Sequence, residues 1–190
     1  MNIVPLFPTP IAKFSNFITS EERVKLYQRI KKTKHHRFGA IAGDGFSTYS
    51  ETKKAPEVVD NNIKKRIQNA VNEYNKEYGA KQCKISNMWS NIQNKGSTLN
   101  EHTHTSSIIS GGLYIKVDET CKLTFHNPNP YIGVMEKWKE DTYYNIDFYW
   151  IPVENCQLVL FPGWLKHGKY TDEIEMDERI VIGFDCVLCS

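Results

Sequence analysis

The sequence contains no long hydrophobic run and no strong excess of charge of either sign. No apolar stretch approaches the ~20 residues that a membrane-spanning helix needs. The formal net charge is only +2, from 24 basic and 22 acidic side chains, which is too small to indicate an anionic partner. Internal repeats and low-complexity tracts are also missing. We therefore expect no membrane partner, and the sequence carries no clear nucleic-acid signal.

Cysteines are few, and they form no complete binding motif. Cys186 and Cys189 have CxxC spacing, but the pair stands alone, whereas a zinc site needs a second pair. The first residues lack both a basic region and an unbroken apolar core, so we expect no secretory signal peptide. The five thiols are therefore expected to be reduced, in a cytoplasmic protein. They are Cys83, Cys121, Cys156, Cys186 and Cys189.

The length and the aromatic content are consistent with one sheet-rich globular domain. The 190 residues are enough to bury a sizeable core. Ten Tyr, nine Phe and four Trp favour sheets over a helical bundle. We predict a single domain over residues 1–190, with helical support from residues 1–80 and a β core from residues 81–190.

Two helices are predicted in the first 80 residues. Thr19 and Glu22 have the spacing of a capping box, which predicts the start of the first helix. Three glycines between residues 39 and 48 indicate a flexible loop. The second helix is predicted to have Pro56 in its first turn and Gly79 at its end. Its apolar stripe predicts packing against a sheet and comprises Val59, Ile63, Ile67, Val71, Tyr74 and Tyr78.

Eight short strand patterns follow Gly79 without intervening helices. They cover roughly residues 83–93, 98–104, 108–117, 121–126, 143–151, 156–161, 165–171 and 178–188. The predicted fold class is α+β, mainly β: a jelly roll buttressed by two N-terminal helices. Residues 127–142 have little periodicity, which is typical of a lid or binding loop. Tyr131 and Trp138 on this loop are candidates for lining a substrate groove.

Three histidines and one arginine form the most informative arrangement in the sequence. His102 and His104 are two residues apart, so on a β-strand both rings point to the same face. His167 lies on a later strand and can complete the set, and neutral imidazoles bind iron, zinc or copper. Arg179 supplies a fixed cation that suits a carboxylate near the metal. These three histidines, called the histidine triad below, predict a metal enzyme.

The residues around the triad form ordered motifs along nearly the whole chain. They are Leu6-Phe-Pro-Thr-Pro10, Trp89-Ser-Asn91, His102-Thr-His104, Ser110-Gly-Gly-Leu-Tyr114, Leu123-Thr-Phe-His-Asn-Pro128, Leu158-Val-Leu-Phe-Pro-Gly-Trp-Leu-Lys-His167 and Glu178-Arg179. In this order the motifs resemble the family of 2-oxoglutarate/Fe(II)-dependent dioxygenases related to the prolyl hydroxylases, in an HxH…H…R variant. The most specific parts are the segment ending at His167 and the HxH followed by Ser-Gly.

The resemblance implies a double-stranded β-helix in which the triad binds Fe(II) and 2-oxoglutarate chelates the metal. It implies that Arg179 and Tyr114 bind the distal carboxylate of 2-oxoglutarate, with Asn91 as a further cosubstrate contact. The implied reaction uses O₂ to convert 2-oxoglutarate to succinate and CO₂ and to oxidise a substrate, most often by hydroxylation. No catalytic residue is expected beyond the metal ligands. The expected substrate is a protein side chain or a small molecule.

The chain departs from the common pattern of non-haem iron oxygenases at two positions. The common site has two histidines and one carboxylate, whereas His104 stands here at the carboxylate position. Glu101 is a poor substitute, because a neighbour of His102 on a strand points to the opposite face. The second departure is Val181, at a position where a serine often contacts the cosubstrate. Anchoring of 2-oxoglutarate is therefore expected to depend on Arg179 and Tyr114.

Two other functions fit the same residues. A cupin-like metalloprotein that does not use 2-oxoglutarate needs the three histidines but not Arg179. A non-enzymatic jelly-roll binding module needs neither, because one fold hosts many functions. His126 also has two interpretations, since it can border the mouth of the site or cap the end of a strand.

Overall fold

A computed structural model describes residues 1–134 and 139–189 of the chain. The elements in chain order are β1 (Ala12–Phe14), α1 (Ser20–Lys32), β2 (His36–Arg37), β3 (Ile41–Ala42), β4 (Gly45–Ser47), α2 (Asn61–Tyr78), β5 (Cys83–Asn94), β6 (Thr98–His102), β7 (Ile109–Lys116), β8 (Lys122–His126), a 3-10 turn (Ile132–Val134), β9 (Phe148–Pro152), β10 (Leu158–Pro162), β11 (His167–Lys169) and β12 (Glu178–Leu188). None of the described helices is both long enough and apolar enough to cross a membrane.

The strands form two antiparallel sheets. The large sheet has the order β1-β10-β7-β12-β5-β4-β2, and the small sheet has the order β3-β6-β11-β8-β9. Sequence neighbours such as β6 and β7 lie in different sheets, so the chain crosses repeatedly between the two layers. This arrangement is a jelly roll, or double-stranded β-helix, with two helices against the large sheet. The predicted fold class is therefore confirmed.

The central strands of the large sheet are buried on both faces. On β12, Ile180, Ile182 and Phe184 belong to a core shared with α1 and α2, because alternate side chains point to one face. Val181 points the other way, into a second core between the two sheets. Strand β10 alternates in the same manner. The helices thus cover the outer face of the large sheet, which leaves its inner face for the site.

Capping residues set the boundaries of the two helices, and one predicted boundary is wrong. The Thr19–Glu22 capping box is present at the start of α1. Helix α2 begins at Asn61 rather than near Pro56, because the Asp60 side chain accepts a hydrogen bond from the Ile63 backbone N–H and caps the helix there. Gly79 is the C-cap, as predicted. The preceding segment has no regular secondary structure, and its Val58 and Val59 are buried.

The glycine-containing segment 39–48 was expected to be a flexible loop, but it carries short strands. Strand β3 pairs with β6 of the small sheet, whereas β4 pairs with β5 of the large sheet. Gly43 makes the turn between them at a φ of 79°, which is a left-handed conformation that favours glycine. The edges of two sheets supply backbone partners that local sequence patterns do not reveal. The first 80 residues therefore contribute four strands as well as the two helices.

The eight strands predicted after Gly79 are all present, with small shifts at their ends. The largest shift is in β9, which begins at Phe148, whereas residues 143–147 lie in turns and irregular structure. Strand β6 ends at His102, so His104 lies two residues beyond it. All five cysteines are free thiols, as expected, and four of them are buried.

Ile67 offers a direct test of how α2 is held on the sheet. Its side chain is fully buried in the core that α2 shares with the large sheet. We expect Ile67→Ala to lower the free energy of unfolding by about 2–5 kcal/mol, because the substitution leaves a cavity. Urea denaturation measures the change. Lys65→Ala, on the exposed side of the same helix, is the control, and an equal loss there would contradict this packing.

Candidate active site

A cavity of about 360 Å³ lies between the two sheets. Its volume is within the range of roughly 300–1,000 Å³ that is common for small-molecule sites. The triad lies on the wall formed by the small sheet, and Arg179 and Tyr114 lie on the wall formed by the large sheet. The structure therefore brings the predicted metal ligands and the predicted carboxylate-binding residues into one cavity.

The pairing of β6 with β11 brings two of the histidines together. His102 and His167 are direct cross-strand partners, and their ring centroids are 4.4 Å apart. His104 follows the end of β6, where its backbone N–H donates to the carbonyl of Gly163 at 2.9 Å. Its ring is 5.1 Å from His102 and 5.0 Å from His167. The sequence analysis expected His102 and His104 on one continuous strand. The three rings do converge, but His104 lies just beyond the end of β6.

Each ring of the triad has a hydrogen-bond acceptor beside its Nδ1 atom. The backbone carbonyl of Asn100 lies 2.8 Å from Nδ1 of His102, and that of Leu165 lies 3.0 Å from Nδ1 of His167. The Asp185 carboxylate lies 3.0 Å from Nδ1 of His104. Because these oxygens only accept, they assign the ring proton to Nδ1 in all three residues. The Nε2 lone pairs are then free to bind a metal.

Burial favours the neutral form of two rings of the triad, those of His102 and His167. Burial lowers the pKa of His167 far below its ordinary value, and the neighbouring His102 and His104 lower this pKa further. Burial also lowers the pKa of His102. A neutral imidazole is the form that binds metal ions. The site therefore keeps at least these two rings ready as ligands at neutral pH.

The spacing of the nitrogen atoms fits one metal ion. The ligand atoms of the three histidines all lie within 4.8 Å of one another. Nε2 of His104 and Nε2 of His167 are 3.3 Å apart. Two nitrogens that bind one ion at about 2.1 Å, at a right angle, lie about 3 Å from each other. A cation between the two lone pairs also relieves their repulsion, so the donor set suits a metal.

Arg179 is a buried cation without a carboxylate partner in the described part of the chain. Only 6% of the residue surface is exposed. Its Nη1 donates to Oε1 of Gln93, while its Nε has no hydrogen-bond partner among the residues described. A buried charge is costly unless it is paired. The cavity is therefore suited to an anion beside Arg179.

Tyr114 and Asn91 are the other two residues predicted to contact a cosubstrate, and both line the cavity. The guanidinium carbon of Arg179 lies 5.5 Å from the centre of the Tyr114 ring. Burial raises the pKa of Tyr114 to about 12, although Arg179 opposes the rise. The phenol thus stays protonated and can donate. Oδ1 of Asn91 is buried and has no hydrogen-bond partner within residues 1–134 and 139–189.

Asp185 is a residue of the site that the sequence analysis missed. Arg179, Val181, Gly183 and Asp185 occupy alternate positions of β12, and all four line the cavity. This period of two is the signal that could have identified Asp185, because alternate residues of a strand share one face. Its role as a partner of His104 required the folded structure.

An aromatic group packs behind His104. The rings of Trp89 and His104 are stacked at 5.9 Å and 26°, and Tyr49 meets Trp89 at 5.0 Å. Trp89 fits here because its cross-strand partner is Gly183. A Cβ atom at Gly183 would lie 2.7 Å from the indole ring. The glycine therefore allows a large ring to lie against the strand and to restrain the plane of His104.

Several other sequence candidates lie outside the cavity. His126 ends β8, where its Nε2 donates to the carbonyl of Gly168 at 2.7 Å, which favours the strand-end interpretation. Glu101 points away from the triad and accepts a hydrogen bond from Lys166 at 2.6 Å, as expected. Tyr131 is exposed and does not line the cavity. Trp138 lies outside the described residues.

Comparison with known families identifies the group to which this geometry belongs. The profile of the 2OG-Fe(II) oxygenase family matches residues 87–185, which include the triad, Arg179, Tyr114 and Asn91. The chain belongs to the 2OG-Fe(II) oxygenase family. Enzymes of this family use Fe(II), 2-oxoglutarate and O₂, so the expected cofactors and the expected enzyme class are confirmed.

Solved structures share the fold at low sequence identity. HygX from Streptomyces hygroscopicus, with nickel and 2-oxoglutarate bound, is 10% identical over 95% of this chain and 83% of its own, with a TM-score of 0.65. A Pseudomonas putida prolyl-4-hydroxylase is 12% identical over 96% of this chain and 94% of its own, with a TM-score of 0.64. A viral collagen prolyl hydroxylase from Paramecium bursaria Chlorella virus-1 has a TM-score of 0.58 at 12% identity, over 94% and 96%. No curated protein sequence matches the chain significantly.

Replacing a histidine of the triad tests the metal site directly. We expect His167→Ala to weaken Co(II) binding more than the roughly 10–100-fold that loss of an outer partner costs, because the change removes a ligand. Calorimetric titration of the apoprotein measures the affinity. His36→Ala, on an exposed strand, is the control. Unchanged binding in His167→Ala would contradict this ligand set.

Proposed function

We propose that the protein is a hydroxylase in which the triad holds Fe(II) and Arg179 holds 2-oxoglutarate. In the overall reaction, one oxygen atom of O₂ enters succinate and the other enters the substrate. The C1 carboxylate of 2-oxoglutarate leaves as CO₂, and a C–H bond of the substrate becomes C–OH. Oxidation of 2-oxoglutarate supplies two electrons and oxidation of the C–H bond supplies two, which together reduce O₂.

The observation that carries this proposal is the position of Arg179. The residue is a buried guanidinium without a carboxylate partner among the described residues, and it shares a cavity with three imidazoles suited to one metal ion. A dicarboxylate with a keto group at one end matches both features. One end chelates a metal, and the other end pairs with a cation. A cupin-like protein without 2-oxoglutarate would have no use for this cation.

The protein contributes orientation and electrostatics to the reaction. When bound, the iron supplies the redox chemistry that activates O₂. Arg179 fixes the distal carboxylate by a charge-assisted hydrogen bond, and Gln93 fixes the guanidinium. Tyr114 donates its phenolic proton to the same carboxylate, and Val181 lies where the common pattern has a serine. Asn91 lines the cavity, and its side-chain amide can donate to the cosubstrate.

The substrate is proposed to enter past the segment that contains β3 and β4. Phe38, Ala40, Tyr49 and Glu51 line the cavity from this segment. None of the described residues of the 127–142 loop lines the cavity, although that loop was expected to be a lid or binding loop. We propose that this opening accepts a protein side chain or a small molecule.

We also propose a cytoplasmic location. The five free cysteines support it, because thiols stay reduced there.

Arg179 can be tested separately from the metal ligands. We expect Arg179→Ala to weaken 2-oxoglutarate binding to the Co(II) protein about 10–100-fold, since hydrogen bonds to charged groups contribute about 1.5–3 kcal/mol. Arg179→Lys should recover only part of the loss, because lysine lacks the planar fork. Titration of 2-oxoglutarate into each Co(II)-loaded variant, with succinate as the competing ligand, measures the affinity of both variants. Arg37→Ala, an exposed arginine paired with Asp44, is the control. Equal affinity in Arg179→Ala and the wild type would refute this role.

Turnover tests the proposed reaction as a whole. Purified protein supplied with Fe(II), ascorbate and 2-oxoglutarate should form succinate slowly even without substrate, as uncoupled oxidation. His167→Ala should reduce succinate formation to background, because it removes a proposed metal ligand. Arg179→Ala should reduce it at limiting 2-oxoglutarate, because it removes the cation proposed to bind the distal carboxylate. Labelling with ¹⁸O₂ should place one ¹⁸O atom in succinate. No succinate from protein with confirmed iron loading would count against the proposal.

A further inference from the structure

The carboxylate of Asp185 lies directly behind one ligand of the proposed metal site. Its Oδ1 is 3.0 Å from Nδ1 of His104, on the side of the ring opposite to the convergence point. We propose that Asp185 is a positioning residue that supplies, through His104, the negative charge that the HxH motif lacks. This inference rests on the metal site of the proposed function and concerns how that site is completed.

Asp185 is fixed in place from a neighbouring strand. Asp185 on β12 and Ser110 on β7 are direct cross-strand partners. The Ser110 hydroxyl, which is buried, donates to the same Oδ1 atom at 2.7 Å. Two donors thus converge on one carboxylate oxygen, which sets both the position of Asp185 and the rotation of the His104 ring. The stacked indole of Trp89 restrains the ring plane as well.

His104 is the basic side chain that lies beside the Asp185 carboxylate. Within residues 1–134 and 139–189, His104 is the sole basic side chain within 4.0 Å of the Asp185 carboxylate. The remaining contact is the neutral Ser110 hydroxyl. A lysine or arginine beside Asp185 would neutralise the carboxylate. Because none is found there, no lysine or arginine competes with His104 for the carboxylate.

The three rings of the triad donate to different acceptors, and His104 is the ring that donates to a carboxylate. His102 and His167 lie against neutral backbone carbonyls, whereas His104 lies against a carboxylate. His104 is also the residue that replaces the carboxylate of the common iron site. The charge is therefore retained at the same corner of the site, but behind the ligand rather than on it.

A carboxylate in this place changes the ligand strength of the ring. A charge-assisted hydrogen bond from Nδ1–H pulls the proton towards Asp185 and raises the electron density at Nε2. The imidazole then binds a divalent ion more tightly than a ring that donates to a neutral carbonyl. It also fixes the tautomer that leaves Nε2 free. Both effects offset the weaker binding expected of three neutral ligands.

Metal affinity of the full-length apoprotein tests the inference without any need for turnover. We expect Asp185→Ala to weaken Co(II) binding about 10–100-fold, and Asp185→Asn to weaken it less, because asparagine keeps an acceptor oxygen but loses the charge. Glu101→Gln is the matched control. Glu101 adjoins His102 in sequence, but its carboxylate accepts a hydrogen bond from Lys166 rather than from a proposed metal ligand. The Co(II) affinity of Glu101→Gln should therefore equal that of the wild type.

A spectroscopic readout separates positioning from general stability. In the Co(II) protein, ring N–H protons of bound histidines give strongly shifted NMR resonances, and a hydrogen bond slows their exchange with water. The wild type should show one such resonance for each ring of the triad. In Asp185→Ala, the resonance of His104 should be lost by exchange while the others persist. A purely structural role would not affect one ring selectively.

The outcomes distinguish this inference from the proposed function. If the wild type binds no Co(II), both fail. If the wild type binds Co(II) and both Asp185 variants bind it within about twofold of the wild type, with every ring resonance retained, the role of Asp185 alone is overturned. If Asp185→Ala does not fold, the isosteric Asp185→Asn decides, because wild-type affinity in that variant excludes a contribution of the charge.

Discussion

The chemistry of this site depends on three hydrogen bonds that point away from it. Each ring of the triad has its Nδ1 beside an acceptor oxygen, which leaves the Nε2 lone pairs free. One ligand atom from each ring lies within 4.8 Å of the other two. The acceptors come from different places: two backbone carbonyls near the ligands in sequence, and Asp185 on the opposite sheet. The site is therefore held partly by local geometry and partly by the packing of the two layers.

The same packing explains how a charged residue is accommodated deep in the protein. The helices occupy the outer face of the large sheet, so its inner face can support a polar cavity. Arg179 projects from β12 into that cavity and is positioned by Gln93 and the face of Tyr114. Gly183, on the same strand, makes room for Trp89 behind His104. One strand thus carries Arg179, proposed to bind the cosubstrate, and Gly183, which makes room behind a proposed metal ligand.

Sequence patterns predicted this architecture well where the periodicity is strong. The eight strands after Gly79 and the start of α1 follow directly from alternation and capping, and the HxH spacing predicted two rings on one face. The patterns failed where tertiary partners decide the structure. The segment 39–48 contains strands β3 and β4, because each pairs with a strand of one of the two sheets. Helix α2 begins at Asn61, because the Asp60 side chain accepts a hydrogen bond from the Ile63 backbone N–H.

The sequence by itself determined the ligand types, the strand periodicity and the family motifs, because each depends on residues close together in the chain. Only the tertiary structure decided that His102 and His167 are cross-strand partners, that Arg179 lacks a carboxylate partner among the described residues, and that Asp185 lies behind His104. These facts depend on strand register and on the packing of one sheet over another. No local pattern encodes them, since they join residues that are far apart in the sequence.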